Sequence, residues 1–409
     1  MKLYHREQYL KKLRGFYHAD DIIKVITGVR RCGKSSLMQT VTEELKSTGV
    51  PEANIVYIDL DKRGFKTIKN AGALESAIER YSNADGLKYL FIDEIQNVEG
   101  FEEVINGYRT EGGWSIFITG SNSYLLSGEL VTKLTGRYLE FELFTLSFQE
   151  YEDMKRFYGK PIDPNPLAEL NQYILEGGFP RALFFESMQD KRRYVHGVVE
   201  EIFEKDIRKR LKIRNKAAFE TVRGFVINNF GAAVSLTSIT NALKKGGTNI
   251  SANTVSKYVK ALLDAKILYE CPRFDMKSKK SIEGEKKYYI ADMGFYFAEN
   301  TDNRINYGPV LENLVYIYAR ALDYSVSVGR IGRFECDFIL RSADLDYSYV
   351  QVAYTIALSR ETEDREYRPL EALKDNYPKY VMTTDYILQK RSGIKHVNLI
   401  DFMNHGEKF

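Results

Sequence analysis

The chain has 409 residues, 44% of them hydrophobic, and its 59 basic and 56 acidic side chains leave a formal net charge of +3. This length exceeds one ordinary core and predicts several domains, while the apolar content excludes a disordered protein. Because the charges nearly balance, an overall field cannot attract an anionic partner, and any contact with nucleic acid must depend on local clusters.

Short apolar strands alternate with helical patterns from Ile22 to about Leu146. The strand-like runs are IIKVIT, NIVYIDLD, KYLFIDE, WSIFITGS and GRYLEFELF. This alternation predicts an α/β fold with a mostly parallel sheet that helices cover on both faces. Ligands of such sheets bind at the carboxyl ends of the strands, so the residues after each strand are candidates for function.

A phosphate-binding motif follows the first strand. The segment VITGVRRCGKSSLMQ contains the pattern G-x-x-x-x-G-K-[ST] as Gly28, Gly33, Lys34 and Ser35. The glycines let the backbone direct N–H groups at phosphate oxygens, and the following helix adds its positive end. Lys34 would reach the β- and γ-phosphates, and the Ser35 hydroxyl would bind Mg²⁺. The alternative is a Gly-rich turn with an exposed lysine.

The loop as a whole is predicted to contact the nucleotide. Its residues are Gly28, Val29, Arg30, Arg31, Cys32, Gly33, Lys34, Ser35 and Ser36. The two arginines could serve the phosphates, the carboxylates of the Mg²⁺ site or a partner, whereas the cysteine occupies an unrestricted position and is not expected to be a redox switch. The chain has no N-K-x-D motif for reading guanine, so ATP is favoured over GTP.

An acidic pair ends the strand YLFIDEIQN. Asp93 is the last strand residue and Glu94 follows it. The first carboxylate would hold Mg²⁺ through water, and the second would polarise the attacking water. Without the loop motif, this pair would be interpreted as a solvated turn.

Two further catalytic candidates lie near later strands. Asn122 follows the strand WSIFIT and is predicted to contact the γ-phosphate or the attacking water, although residues 121–123 also suit a helix N-cap. Arg137 begins the next strand and is a candidate arginine finger for a neighbouring subunit. A surface ion pair with Glu140 or Glu142 is the alternative for Arg137.

The second half of the chain changes character. From about Ser147 to Asn215, long helical patterns predict a helical lid, which EGGFPRA interrupts at 176–182. From about Ala218 to Ala298, three helical patterns precede two strand-like runs, which is the order of a winged helix. The remainder predicts a small α/β domain.

One helix of the predicted winged helix has a polar face. Its members, with the lysines of the likely wing, are Asn253, Ser256, Lys257, Lys260, Lys277, Lys279 and Lys280. These side chains could lie against DNA, but the same face also suits protein binding or simple solvation. A second basic run, EKDIRKRLKIRNK, has acidic neighbours for intrahelical pairing and favours a solvated helix.

Six sequence blocks together resemble a known family. They are ITGVRRCGKSSL, LFIDEIQNV, FITGSNSYLL, LTGRYLEFELFTLSFQEY, EGGFPRAL and FECDFIL followed by YVQVAYTI. In this order they resemble the predicted ATPases of the extended AAA+ superfamily, found in bacteria and archaea, that carry a C-terminal domain of unknown function. The resemblance implies an AAA-type core that binds ATP and Mg²⁺, with Asn122 as sensor.

The resemblance also implies further roles. Related signalling ATPases hold adenine against a Gly-x-Pro turn, so Phe179 and Pro180 are proposed there, with a simple helix break as the alternative. Ring assembly is common in the superfamily and suits Arg137 acting in trans. The implied domains are an ATPase core at 1–150, a helical lid at 151–217, a winged helix at 218–300 and an α/β domain at 301–409.

The last domain resembles restriction-nuclease-like folds. These folds use two carboxylates and a [DEQ]-x-K strand motif to hold Mg²⁺ and orient water. Glu312, Asp337 and Gln351 are the matching residues, but Ala353 stands at the lysine position. A degenerate nuclease fold that serves binding or assembly is therefore expected.

The preferred function is an ATP-dependent switch or motor that places its later domains according to the nucleotide bound. The alternatives are an oligomeric ATP-binding scaffold, a nuclease licensed by ATP and, less favoured, a small-molecule kinase. Three distant cysteines and the lack of a leader or a long apolar run predict a cytoplasmic protein with no membrane contact. The expected partners are a second copy of the chain, DNA and an unidentified protein.

Overall fold

The computed structural model describes residues 2–80, 85–120, 134–208, 211–213, 215–278, 280–300 and 304–409, without the side chains of residues 280–283. The chain divides into two compact units, Met1–Leu143 and Phe144–Phe409. The predicted lid, winged helix and C-terminal domain all lie in the second unit. Their individual boundaries stay predictions.

The first unit is built on a parallel sheet. Its strands are β1 (Ile23–Thr27), β2 (Ile55–Asp59), β3 (Lys88–Asp93), β4 (Trp114–Thr119) and β5 (Tyr138–Glu142). Its described α-helices are α1 (Glu7–Arg14), α2 (Lys34–Ser47), α3 (Ala71–Arg80) and α4 (Phe101–Glu111). The strand order is β2-β3-β4-β1-β5, and each neighbouring pair is parallel. The predicted α/β fold is confirmed.

Strand register brings polar residues to one edge of this sheet. The interior strands are buried along their length because they consist largely of β-branched and aromatic residues. Asp59 lies opposite Asp93, and Thr119 lies opposite Ile26. The carboxyl ends of four strands therefore meet at one edge, next to the loop that follows Thr27.

The second unit contains helices and a mixed sheet. The described α-helices are α5 (Phe148–Phe157), α6 (Pro166–Glu176), α7 (Met188–Ile202), α8 (Lys216–Asn228), α9 (Leu236–Lys245), α10 (Ala252–Asp264), α11 (Met293–Glu299), α12 (Tyr307–Ala321), α13 (Arg360–Glu371) and α14 (Leu399–Asn404). The strands are β6 (Ala233–Val234), β7 (Leu268–Asp275), β8 (Lys280–Ile290), β9 (Ser325–Ile331), β10 (Phe334–Arg341), β11 (Tyr347–Val352), β12 (Lys379–Thr383), β13 (Lys390–Arg391) and β14 (Ile394–Asn398).

Helices α8, α9 and α10 precede the antiparallel hairpin of β7 and β8 in the expected order. The short strand β6 pairs with β8. In α10, Val255 and Val259 are buried, whereas Asn253, Lys257 and Lys260 are exposed. The apolar and polar faces of this helix thus lie as its 3.6-residue periodicity predicts. The interpretation as a winged helix stays a prediction.

The hairpin continues into the sheet of the C-terminal residues. The strand order is β13-β14-β12-β11-β10-β9-β7-β8-β6. The joining contact is a parallel pairing of β7 with β9, which sets Arg273 opposite Val328. Strand β9 was not among the strands predicted from the sequence. Because β9 pairs with β7, neither the hairpin nor the C-terminal strands have an exposed sheet edge at this junction.

Candidate nucleotide-binding site

The loop between β1 and α2 has the strand–loop–helix context that the motif requires. Gly28 has a φ of +138° and Gly33 a φ of +111°, values that L side chains rarely adopt. A Cβ on Gly28 would also lie 2.1 Å from the Leu143 carbonyl oxygen. Helix α2 begins at Lys34, so its N-terminal end faces the loop.

Lys34 is held inside this loop. Its side chain is buried, and Nζ donates hydrogen bonds to the carbonyl oxygens of Gly28 at 3.0 Å and Val29 at 3.3 Å. Both acceptors are neutral groups of the loop. The ammonium is therefore positioned by the backbone that would surround a phosphate.

Asp93 lies among the polar residues at the carboxyl ends of the parallel strands. It is 2% exposed, and its carboxylate accepts hydrogen bonds from the hydroxyls of Thr119 and Ser35. Burial raises the pKa of Asp93 above its ordinary value, and the two hydroxyls only partly oppose this shift. The hydroxyl predicted for the metal and the carboxylate predicted for its water are thus in direct contact.

Glu94 follows in a left-handed conformation with a φ of +59°. Its backbone N–H donates to Thr119 Oγ1 at 3.2 Å, so one threonine contacts both members of the acidic pair. Its carboxylate accepts a hydrogen bond from Gln96 Nε2 at 2.6 Å, and Arg30 Nη2 lies 4.0 Å from the same oxygen. Arg30 thus lies near the Glu94 carboxylate, and its contact with phosphate, with the carboxylates of the Mg²⁺ site or with a partner stays a prediction.

Known proteins resemble this chain over most of its length. Residues 20–152 match the family model of an AAA domain. An uncharacterized protein of Haemophilus influenzae is 34% identical over 400 residues, which cover 97% of this chain and 98% of that protein. The chain belongs to the AAA-domain family of P-loop ATPases. The resemblance drawn from the six sequence blocks is confirmed.

Other matches extend beyond the AAA domain. Residues 167–303 match a domain of unknown function. An uncharacterized protein of Methanocaldococcus jannaschii is 30% identical over 364 residues, covering 86% of this chain and 79% of that protein. The solved Walker-type ATPase of Pyrococcus abyssi matches 73% of this chain and 96% of its own, with 16% identity and a TM-score of 0.50, which shows a shared fold.

Two residues of the AAA domain that contact the acidic pair were not predicted from the sequence. Thr119 ends β4 and contacts both acidic residues, and its signal was a polar residue at the end of a buried strand. The predicted contact at this strand end, Asn122, lies outside the described residues. Gln96 follows Glu94 by two residues, and nothing in its spacing indicated a contact.

Arg137 lies far from the phosphate loop of its own AAA domain. Its carbonyl accepts a hydrogen bond from the Ile23 N–H, which places it at the amino end of β5. The loop starts after the carboxyl end of the adjacent strand β1, roughly 16 Å away at 3.3 Å per residue. The arginine-finger role would therefore require a neighbouring subunit, and it stays a prediction. Glu140, one suggested partner, accepts instead from Thr27 Oγ1 at 2.7 Å.

Cys32 is fully buried in the loop, and burial raises the pKa of its thiol. Its carbonyl accepts from Arg6 Nη1 at 3.2 Å. A buried thiol with a raised pKa is a poor nucleophile, as expected for a residue without a redox role.

The turn that contains Phe179 and Pro180 lies in the second unit. The Phe179 ring is buried against Phe295, with ring centroids 5.3 Å apart. Gly177, with a φ of +76°, ends α6, and a Cβ there would lie 2.1 Å from Asp292 Oδ1. A Cβ on Gly178 would lie 2.4 Å from the Leu146 carbonyl oxygen, so packing within the unit explains both glycines. Contact of Phe179 with adenine stays a prediction.

The predicted basic clusters differ in their surroundings. Lys205 and Arg208 pair with glutamates four residues before them, as the solvated-helix interpretation expects. The described residues do not include Lys209, Arg210, Arg214 or Lys279.

Among the described residues, no helix is long and apolar enough to cross a membrane.

Proposed function

We propose that this chain binds ATP with Mg²⁺ and hydrolyses it, and that the bound nucleotide acts as a switch on the second unit. The contact between the Asp93 carboxylate and the Ser35 hydroxyl carries the proposal. Hydroxyl and carboxylate oxygens are ligands that Mg²⁺ prefers, and these two lie beside a helix N-terminus and a buried lysine. This donor set therefore fits the cation.

Each residue has a distinct proposed role. Lys34 binds the β- and γ-phosphates, and Ser35 and Asp93 hold the cation directly and through water. When bound, Mg²⁺ neutralises phosphate charge. Glu94 accepts a proton from the attacking water, and its contacts with Gln96 and Arg30 set the direction of its carboxylate.

A scaffold that binds ATP without hydrolysing it is the second candidate, and turnover separates the two. The measurement is steady-state phosphate release by the wild type and by Glu94→Gln, each alone, with duplex DNA and with single-stranded DNA at low salt. Removing a general base lowers the rate by about 10²–10⁴-fold, while binding of a fluorescent ATP analogue should be preserved. Glu99→Gln, an exposed change five residues later, is the matched control. ATP binding without turnover in every condition would favour the scaffold.

Partners are proposed from the exposed surface and from the resemblance. The exposed side chains of Asn253, Lys257 and Lys260 on α10 form one polar face that suits contact with DNA phosphates. Action of Arg137 on a second subunit would require a homo-oligomer, with a ring as one form. A protein partner and a cytoplasmic location complete the proposal.

A further inference from the structure

The nuclease-like residues of the second unit come together around a lysine from another part of the chain. Glu312 lies on α12, Asp337 on β10 and Gln351 on β11. Nuclease folds of this kind use such residues to hold a divalent cation, so the first question is whether these side chains fit one.

Lys287 of β8 occupies the centre of this group. Its Nζ lies 3.1 Å from Glu312 Oε2 and 3.2 Å from Glu335 Oε1, and its side chain is 8% exposed. Burial alone would lower the pKa of Lys287, but the carboxylates of Glu312, Asp337 and Glu335 outweigh it and raise the pKa above its ordinary value. The ammonium is thus a charged cation among three carboxylates.

Two further oxygens of the group accept hydrogen bonds from backbone N–H groups. Asp337 Oδ2 accepts from the Val352 N–H at 2.8 Å, and Gln351 Oε1 accepts from the Asp337 N–H at 2.9 Å. The Gln351 amide nitrogen donates to Glu366 Oε2 at 3.0 Å. Among the residues that the structure describes, no group of three or more His, Cys, Asp or Glu is placed to hold a metal. With Lys287 in place, this donor set does not fit a divalent cation.

We propose that Lys287 takes the place of the divalent cation in this nuclease-like site. The site is then an ionic contact that joins β8 to α12 through Glu312 and to β10 through Glu335, and it has no metal-dependent cleavage activity. Glu312 also accepts a hydrogen bond from Tyr289 Oη at 3.1 Å, so two side chains of β8 contact the same carboxylate. Since β8 belongs to the hairpin, this ionic contact holds the predicted winged helix to the C-terminal strands. This inference does not depend on ATP hydrolysis.

The test is Mn²⁺ binding to the full-length protein, measured by electron paramagnetic resonance without nucleotide. All proteins carry Asp93→Asn, so that the AAA domain adds no signal. With Lys287 present we expect no Mn²⁺ site that depends on Asp337, and therefore no difference on adding Asp337→Asn. Lys287→Met should gain one Mn²⁺ per chain, and Lys287→Met with Asp337→Asn should lose it again.

Lys286→Met is the matched control, because the neighbouring side chain pairs with Glu270 at 2.6 Å and is part of a different contact. It should gain no Mn²⁺. An Asp337-dependent Mn²⁺ site in the protein with Lys287 present would overturn the proposal, as would Mn²⁺-dependent nicking of supercoiled plasmid that Asp337→Asn abolishes. These two measurements do not require that Lys287→Met folds. A folded Lys287→Met protein without a new Mn²⁺ site would also overturn it.

Discussion

Replacing Thr119 with valine tests whether one hydroxyl organises the acidic pair of the AAA domain. Valine keeps nearly the same shape but removes the donor to Asp93 and the acceptor of the Glu94 N–H. Thr119 is fully buried, so solvent cannot replace either contact at the strand end.

Each buried polar group left without a partner costs about 1–3 kcal/mol, so the two lost contacts of Thr119→Val should lower the free energy of unfolding by about 2–6 kcal/mol. For a unit of this size, that loss corresponds to a fall of roughly 5–25 °C in the melting temperature. We also expect ATP hydrolysis to fall about tenfold, which corresponds to ~1.4 kcal/mol in the barrier, because the Asp93 carboxylate loses one of its two anchoring hydroxyls.

The assays are thermal unfolding by circular dichroism and steady-state phosphate release. Thr40→Val is the matched control, because Thr40 is equally buried and its hydroxyl donates only to the Ser36 carbonyl within α2. That change should cost less than about 1 kcal/mol. Equal melting temperatures and rates for the two variants would refute an organising role of the Thr119 hydroxyl.

Three further predictions concern charge. Because burial raises the pKa of Asp93, the folded state binds its proton more tightly than the unfolded state, and the stability of the nucleotide-free wild type falls as pH rises through that pKa. Nucleotide-free Asp93→Asn should therefore melt at or above the wild-type temperature at pH 7.5, converge with it in acid, and lose the stabilisation by Mg²⁺ and ATP. Arg137→Ala and Glu94→Gln should each be inactive, yet a mixture should regain hydrolysis, because a finger acting in trans is supplied by the other variant. The double change Lys257→Glu and Lys260→Glu should weaken DNA binding because two phosphate contacts are lost. The slope of log affinity against log salt concentration should then fall in magnitude by about two.

Each of these predictions has its own contradicting result. A variant of Asp93 that still gains stability from Mg²⁺ and ATP would remove this residue from the cation site. Mixed subunits that stay inactive would leave Arg137 as a surface residue. For the DNA experiment, Arg360→Glu with Lys374→Glu is the control of equal charge change at exposed positions, and equal loss of binding in both double variants would mean that α10 is not the contact surface.

Local motifs were the most predictable part of this protein. The glycines of the phosphate loop, Lys34 and the acidic pair depend on contiguous residues whose strand and helix context is visible in the chain. The faces of α10 were equally predictable, because a helical period assigns burial to Val255 and exposure to Lys257. The strand β9 was missed, since only three of the seven residues in SVSVGRI are apolar, and its parallel pairing with β7 joins residues that are 55 positions apart.

By itself, the sequence determined the α/β core and the family, and it predicts the residues that would contact phosphate, because each depends on short-range spacing and backbone conformation. Only the tertiary structure decided which groups hold the carboxylates. Strand register sets Thr119 beside Asp93, and the contact of helix α12 with β8 brings Glu312 to Lys287. The physical reason is that a buried charge needs a partner at hydrogen-bond distance, and the fold, through strand pairing and helix packing between distant segments, supplies that partner.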